Sequence, residues 1–249
     1  TLGVVGLGAI GSIIANLALD LGMDVIGYDP AISVEAAWQL SSRVERMESL
    51  EKLLASADFV TLHVPAIPAT KHLINHETLS GMKSTAKILN FAREEIVNTD
   101  DMVDALETGS IAGYISDFPT PALLGRKNVL LMPHIGASTA EAEENCAVMA
   151  ADQLKDFLEN GNIYNSVNYP PTKMSRNGGS RITFSNNNVP KVLGSVLSIL
   201  ADSEINVVDM VNKSRGEIAY NIIDVEGDIS TQLKEKIAQV DGVMRVRLL

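Results

Sequence analysis

Up to about residue 135, apolar runs of strand length alternate with stretches whose apolar residues recur every three or four positions. Leu2-Gly-Val-Val-Gly6 reads as a short buried strand. Ile10, Ile13, Ile14, Leu17 and Leu21 follow at helical spacing, and Gly22 closes that helix. Further strands are read at Val25-Ile-Gly-Tyr, Phe59-Val-Thr-Leu, Lys87-Ile-Leu-Asn-Phe, Ala112-Gly-Tyr-Ile-Ser and Val129-Leu-Leu-Met, with helices between them such as Asp100 to Leu106. Such alternation implies a parallel sheet with right-handed crossovers. Ligands of these sheets bind outside the carboxyl ends of the strands, which here carry Asp29, His63, Phe91 to Arg93, Asp117 and His134.

The pattern changes at Ser138. Ser138-Thr-Ala-Glu141 reads as a capping box, Ala147, Ala150, Ala151, Leu154 and Phe157 follow at helical spacing, and Asn160-Gly161 stops the helix. Tyr169 to Gly179, rich in proline, glycine and polar residues, reads as a linker. Beyond it the order is strand (Arg181 to Ser185), helix (Val189 to Ala201), two strands around Ser214-Arg-Gly216, helix (Ser230 to Val240) and a strand in which Met244, Val246 and Leu248 alternate with Arg245 and Arg247. A βαββαβ order predicts a small ferredoxin-like α+β domain. The expected division is residues 1–137 for the first domain, 138–179 for a bridging helix and linker, and 180–249 for the second domain.

Composition narrows the function classes. The 249 residues are 46% apolar and suffice for two domains with their own cores. No uninterrupted apolar run reaches about 18 residues, which argues against a membrane span, and no signal-peptide pattern is present. A net charge of −11 argues against general nucleic-acid binding. A single cysteine, Cys146, excludes an internal disulfide, fits a cytoplasmic setting, and reads as a buried structural thiol on a helix.

Gly6-Leu-Gly8-Ala-Ile-Gly11 carries the first chemistry. The first glycine permits a tight turn, the second a close approach of a pyrophosphate, and the third close packing of helix on strand, as in a Rossmann-type doubly wound sheet. The alternative is a ligand-free glycine turn. The context favours a dinucleotide: a strand precedes, a helix follows, and Asp29, eighteen residues past Gly11, ends the next strand, where a carboxylate accepts from ribose hydroxyls and repels a 2′-phosphate. NAD is therefore expected rather than NADP. Arg93 can clamp a substrate carboxylate in two-pronged fashion, against the alternative of a surface arginine paired with Glu94 or Glu95. Asp117 can bond a nicotinamide carboxamide or ribose, or form a strand-end turn. His134 is the best acid/base candidate of the four histidines, the alternative being a helix-capping role. His63 is expected to shape the adenine pocket, His72 and His76 to lie in loops, and no metal centre is expected.

Gly-Leu-Gly-Ala-Ile-Gly, Tyr28-Asp-Pro, Leu62-His-Val-Pro, Asn90-Phe-Ala-Arg and Pro133-His-Ile-Gly-Ala-Ser-Thr together resemble the D-2-hydroxyacid dehydrogenase family. Glu143-Glu-Asn-Cys-Ala-Val-Met, Asn165-Ser-Val-Asn and the small domain are similar to its bacterial phosphoglycerate dehydrogenase branch, which ends in an ACT domain. The resemblance implies NAD-dependent oxidation of 3-phospho-D-glycerate to 3-phosphohydroxypyruvate in L-serine biosynthesis. It places Gly6, Gly8, Ala9, Ile10, Gly11, Asp29, His63, Phe91, Ala92, Arg93, Asp117, His134, Gly136 and Ala137 on the cofactor, with Arg93 also binding substrate and His134 as the general acid/base. The alternatives are a dehydrogenase of another D-2-hydroxy acid and a catalytically impaired sensor of NAD and serine.

Three departures stand out. The family carries a substrate-binding segment of roughly a hundred residues, an ordinary domain's length, ahead of the glycine motif, and the chain is expected to lack it. Its third catalytic residue is a glutamate, which would raise the histidine's basicity and fix its tautomer, in a Phe-Pro-Thr-Glu-like stretch, where Phe118-Pro-Thr-Pro-Ala122 stands here. Glu94 stands where the family often has glycine after the arginine. In the ACT-like domain, the positions matching an amino-acid effector site are Asn186, Asn188 and Asn206, and Lys191 replaces the usual glycine. Asparagine suits the carboxylate and amino group of serine, against the alternative of a polar turn capping the helix at Val189. A homo-oligomer, dimer or tetramer, is expected.

Overall fold

The structure is a computed structural model that describes residues 1–34 and 36–249 in full and residue 35 by its backbone alone. It divides into two compact units, Thr1–Ile135 and Gly136–Leu249. The stretch read as a bridging helix and linker thus falls within the second unit, and the first ends two residues earlier than expected.

In the first unit the elements run β1 (Leu2–Val5), α1 (Ala9–Asp20), β2 (Val25–Tyr28), α2 (Val34–Gln39), β3 (Glu45–Arg46), α3 (Leu50–Ser56), β4 (Phe59–Leu62), α4 (His76–Ser80), β5 (Lys87–Asn90), a 3-10 turn (Glu94–Ile96), α5 (Thr99–Thr108), β6 (Gly113–Ser116) and β7 (Val129–Leu131). The seven strands form one parallel sheet in the order β3-β2-β1-β4-β5-β6-β7. β1 shows why such a strand reads as a continuous apolar run: Leu2 and Val4 enter one core with Ala15, Ala18 and Leu19 of α1, while Val5 enters the other with Leu53, Leu54 and Ile88. The short, polar β3 carries no apolar signal and is not legible in the sequence.

The residues that reveal the period of α1 are not those it buries. Ile10, Ile13, Leu17 and Leu21 are exposed, whereas Gly11, Ser12, Ala15, Ala18 and Leu19 face the sheet. Small side chains let the helix backbone approach the strands closely, and they contribute little to a hydrophobicity pattern. His76, expected in a loop, starts α4.

The second unit comprises α6 (Ala140–Asn160), β8 (Ser180–Asn187), α7 (Val192–Asp202), β9 (Val207–Arg215), β10 (Ile218–Val225), α8 (Thr231–Ala238) and β11 (Val243–Leu248). The four strands form a separate antiparallel sheet in the order β11-β8-β10-β9. α7 and α8 pack on one face through Val196, Leu200, Leu233 and Ile237 against Ile182, Phe184, Ile223 and Val246. Details differ from the sequence reading. The N-cap of α6 is Thr139, whose hydroxyl accepts from the Ala142 N–H at 3.2 Å, rather than Ser138. Lys191, in the left-handed region at φ 78°, precedes α7 and displaces its start from Val189 to Val192. No described residue of α6 is buried, and Cys146 is exposed rather than buried. Helical spacing located α6 correctly, but spacing alone does not say whether a face has a packing partner.

Candidate active site

The glycine turn between β1 and α1 is set by backbone contact. Gly6 has φ +89°, and a side chain there would meet the His63 carbonyl at 2.5 Å. A Cβ on Gly11 would stand 1.9 Å from the Gly6 carbonyl oxygen, so only glycine lets α1 begin this close to the strand. Gly8 differs, since a Cβ there meets nothing within 4 Å. The turn is closed against the protein and open in front of Gly8, the shape a backbone-bound pyrophosphate requires.

Asp29 follows β2 beside this turn. Its Oδ2 accepts from the Leu7 N–H at 2.8 Å and its Oδ1 from the Ala31 N–H at 2.8 Å. A carboxylate has about four acceptor positions, so each oxygen keeps one for a further donor such as a ribose hydroxyl. His63, after β4, shares its Nε2 with the Thr61 hydroxyl at 2.9 Å, and burial lowers its pKa, which favours the neutral ring. His63, Ile10, Phe91, Ala92 and Arg93 line a cleft of about 410 Å³ along the carboxyl ends of β4 and β5.

The segment after β5 is held from below by residues not singled out as site residues from the sequence. The buried Asn90 donates to the Arg93 carbonyl at 2.9 Å and to the Tyr114 hydroxyl at 3.2 Å, and its own side-chain oxygen accepts from the Ala92 N–H at 3.2 Å. Ser116, also buried, donates to the Asn90 carbonyl at 3.0 Å and accepts from the Phe118 N–H at 3.1 Å. Asn90 and Ser116 therefore tie the turns after β5 and β6 together. Their signal was a polar residue ending each apolar strand, and fully buried polar side chains require such partners. Burial raises the pKa of the Tyr114 phenol, keeping it neutral. Arg93 donates from one guanidinium nitrogen to the Ala92 carbonyl at 2.7 Å and, among the described residues, forms no ion pair with Glu94, Glu95 or any other acid.

Asp117 and His134 come from the ends of the adjacent strands β6 and β7, where Ser116 lies opposite Leu131. His134 Nδ1 lies 2.8 Å from Asp117 Oδ2. The histidine side chain is 54% exposed and the aspartate side chain 14%. The Phe118 ring lies against the imidazole at a centroid distance of 4.7 Å. Asp117 Oδ1 is buried and has no hydrogen-bond partner among the described residues. Gly136 and Ala137 follow directly in the chain and open the second unit.

Residues 1–136 match the NAD-binding domain of the D-isomer specific 2-hydroxyacid dehydrogenases, more than half of this 249-residue chain. The chain belongs to that family. Its glycine turn, Asp29 and the open acceptors of Asp29 and Asp117 fit the NAD of the family. The chain is 35% identical over its full length to the D-3-phosphoglycerate dehydrogenase of Haemophilus influenzae, covering 62% of that protein. It is 33% identical to the Escherichia coli K12 enzyme of the same name, again along the whole chain and 62% of the relative. The chain thus spans less than two thirds of the length of these curated relatives. Among solved structures, the NAD complex of a D-isomer specific 2-hydroxyacid dehydrogenase from Lactobacillus delbrueckii ssp. bulgaricus superposes with a TM-score of 0.59 at 28% identity, over 67% of this chain and 56% of the other. No described helix is long and apolar enough to cross a membrane.

Proposed function

We propose that the protein oxidises 3-phospho-D-glycerate to 3-phosphohydroxypyruvate with NAD, the reaction that opens L-serine biosynthesis. The observation that carries this reading is the placement of Arg93, which has no acidic partner among the described residues, and an aspartate-bonded histidine, His134, on the same sheet edge as the glycine turn. Similarity to phosphoglycerate dehydrogenases along the whole chain supports the substrate. NAD, when bound, accepts two electrons with the hydrogen from the substrate carbinol carbon. Arg93 holds the substrate carboxylate and so orients that carbon. His134 takes the hydroxyl proton as the C–H bond breaks and the carbonyl forms, and returns it in the reverse direction. Gly6, Gly8, Gly11 and Asp29 hold the dinucleotide, and the acid at the second strand end selects NAD over NADP.

The second unit reads as an ACT domain. Its strand order, with the first strand between the fourth and the third, supports this. L-Serine is then the effector, and the protein is a cytoplasmic homo-oligomer. Within the proposed serine site, Asn186 is buried, with its side-chain oxygen bonded by Asn221 at 2.7 Å, while Asn188 donates to the Gly216 carbonyl at 3.0 Å. Asn206, which accepts from the Glu226 N–H through its backbone, has no side-chain bond among the described residues.

The test is NADH formation from NAD and 3-phospho-D-glycerate, with D-lactate as a parallel substrate and L-serine as an additive. Turnover of the phospho-acid is expected, with a loss of about 10²–10⁴-fold in His134→Ala. NADH formed only from D-lactate would reassign the substrate, and no NADH from either acid with the family's substrate-binding segment supplied ahead of the glycine motif would overturn the reading.

A further inference from the structure

We propose that Asp117 is the positioning carboxylate of His134, filling the role for which the family resemblance expects a glutamate beyond Phe118-Pro-Thr. The inference rests on the reading of His134 as the acid/base. The stretch Pro119 to Ala122 offers no carboxylate, yet His134 has one at hydrogen-bond distance, supplied four residues before Pro121, which stands near the expected glutamate.

The geometry is specific to the fold. Asp117 sits between two fixed neighbours, since Ser116 is bonded to the Asn90 carbonyl and holds the Phe118 N–H, and Phe118 in turn lies against the imidazole. The chain entering the histidine loop is pinned to the same place, because the Met132 N–H donates to the Ser116 carbonyl at 2.9 Å. Neither end of the Asp117–His134 bond depends on a free loop.

The chemistry follows from which atoms can donate. An ionised carboxylate only accepts, so the neutral imidazole must carry its proton on Nδ1 to bond Oδ2. Nε2, on the other side of the ring and without a hydrogen-bond partner among the described residues, is then the lone-pair nitrogen that receives the substrate proton. When it does, the carboxylate faces the imidazolium and stabilises it. The second oxygen remains available. Oδ1 is buried and has no partner among the described residues, whereas buried acceptors are ordinarily satisfied. An amide donor of the right kind is carried by the nicotinamide carboxamide. One carboxylate would thus orient the histidine through Oδ2 and hold the cofactor through Oδ1, two duties that the family resemblance distributes over two acidic residues.

The experiment is two-bond 1H–15N correlation on the 249-residue chain labelled at histidine, above the titration range of the four rings, with His134 assigned by its absence in His134→Gln. The wild-type ring is expected as the Nδ1–H tautomer. In Asp117→Asn the amide can donate to Nδ1, and the ring is expected to convert to Nε2–H. An Nε2–H ring in the wild-type chain would overturn the proposal, as would an unchanged tautomer in a folded Asp117→Asn variant. The wild-type spectrum decides independently of how that variant folds. The outcome is also separable from that of the dehydrogenase reading. Absence of NADH formation leaves the tautomer result standing, and an Nε2–H wild-type ring defeats the Asp117 role even in an enzyme that turns over.

Discussion

Two hydrogen-bonded acid–base pairs, one in each unit, are built to opposite specifications. In the second unit Arg181 and Asp224 are 0% and 1% exposed. All five guanidinium N–H groups are used: two meet the Asp224 carboxylate at 2.6 and 2.8 Å, and three meet the carbonyls of Asn160, Met174 and Ser175 at 2.9 to 3.0 Å. That network ties the end of α6 and the following segment to β8 and β10. In the first unit the His134–Asp117 pair is half open to solvent on the histidine side and leaves one buried carboxylate oxygen with no partner among the described residues. A saturated pair has no capacity left for a ligand and serves architecture. An unsaturated one holds acceptor capacity in reserve, which is what a site requires.

The largest expected effect tests the architectural half. Asp224→Ala strands a charged guanidinium in the interior and is expected to destabilise the second unit by about 3–5 kcal/mol. In Asp117→Asn, with an exposed partner, the cost is expected to stay below about 1 kcal/mol. Chemical denaturation of the two variants measures the ratio directly, and equal losses would erase the contrast drawn above.

A second pair of substitutions separates packing from ligand space within the glycine turn. Gly11→Ala places a methyl 1.9 Å from a backbone carbonyl. Relief of that overlap is expected to cost about 1–3 kcal/mol of stability. Gly8→Ala meets no protein atom within 4 Å, so its stability is expected within about 0.5 kcal/mol of wild type. NAD affinity should nevertheless fall at least tenfold, read by fluorescence titration with NADH. Unchanged affinity would mean that the open side of Gly8 is not where the pyrophosphate lies.

The smallest effect is a pH dependence. Burial lowers the pKa of His63, so the unfolded chain binds a proton near pH 6.5 that the folded state refuses. Stability is therefore fully present above that pH and declines as pH falls through it. Urea midpoints at pH 8 and pH 5.5 should differ more in the wild type than in His63→Gln, and equal slopes would remove His63 as the cause.

Much of this was legible in the chain. Parallel strands buried on both faces must be apolar throughout, so their runs stand out, and the βαββαβ order of the second unit followed from alternation in the same way. The motif residues fell at strand ends, where ligands of such sheets bind. What escaped was of a different kind. Asn90 and Ser116 act through cross-strand hydrogen bonds, and their partners are 24 to 26 residues away in sequence. The buried face of α1 is made mostly of glycine, serine and alanine, with Leu19 as its one large apolar side chain, and a hydrophobicity pattern scarcely registers the small ones. Thr139 and Lys191, rather than their neighbours, begin α6 and α7 because the backbone conformation at each position decides the cap.

By itself the amino-acid sequence determined the order and type of the elements, because periodicity of 2 or 3.6 is a local property of side chains facing a core. It also determined the glycine turn, because the steric need for a missing Cβ is written at single positions. Only the tertiary structure decided which carboxylate faces His134 and which of the two acidic pairs is saturated. Those outcomes depend on the register of neighbouring strands and on burial, and distance in space is not a function of distance along the chain.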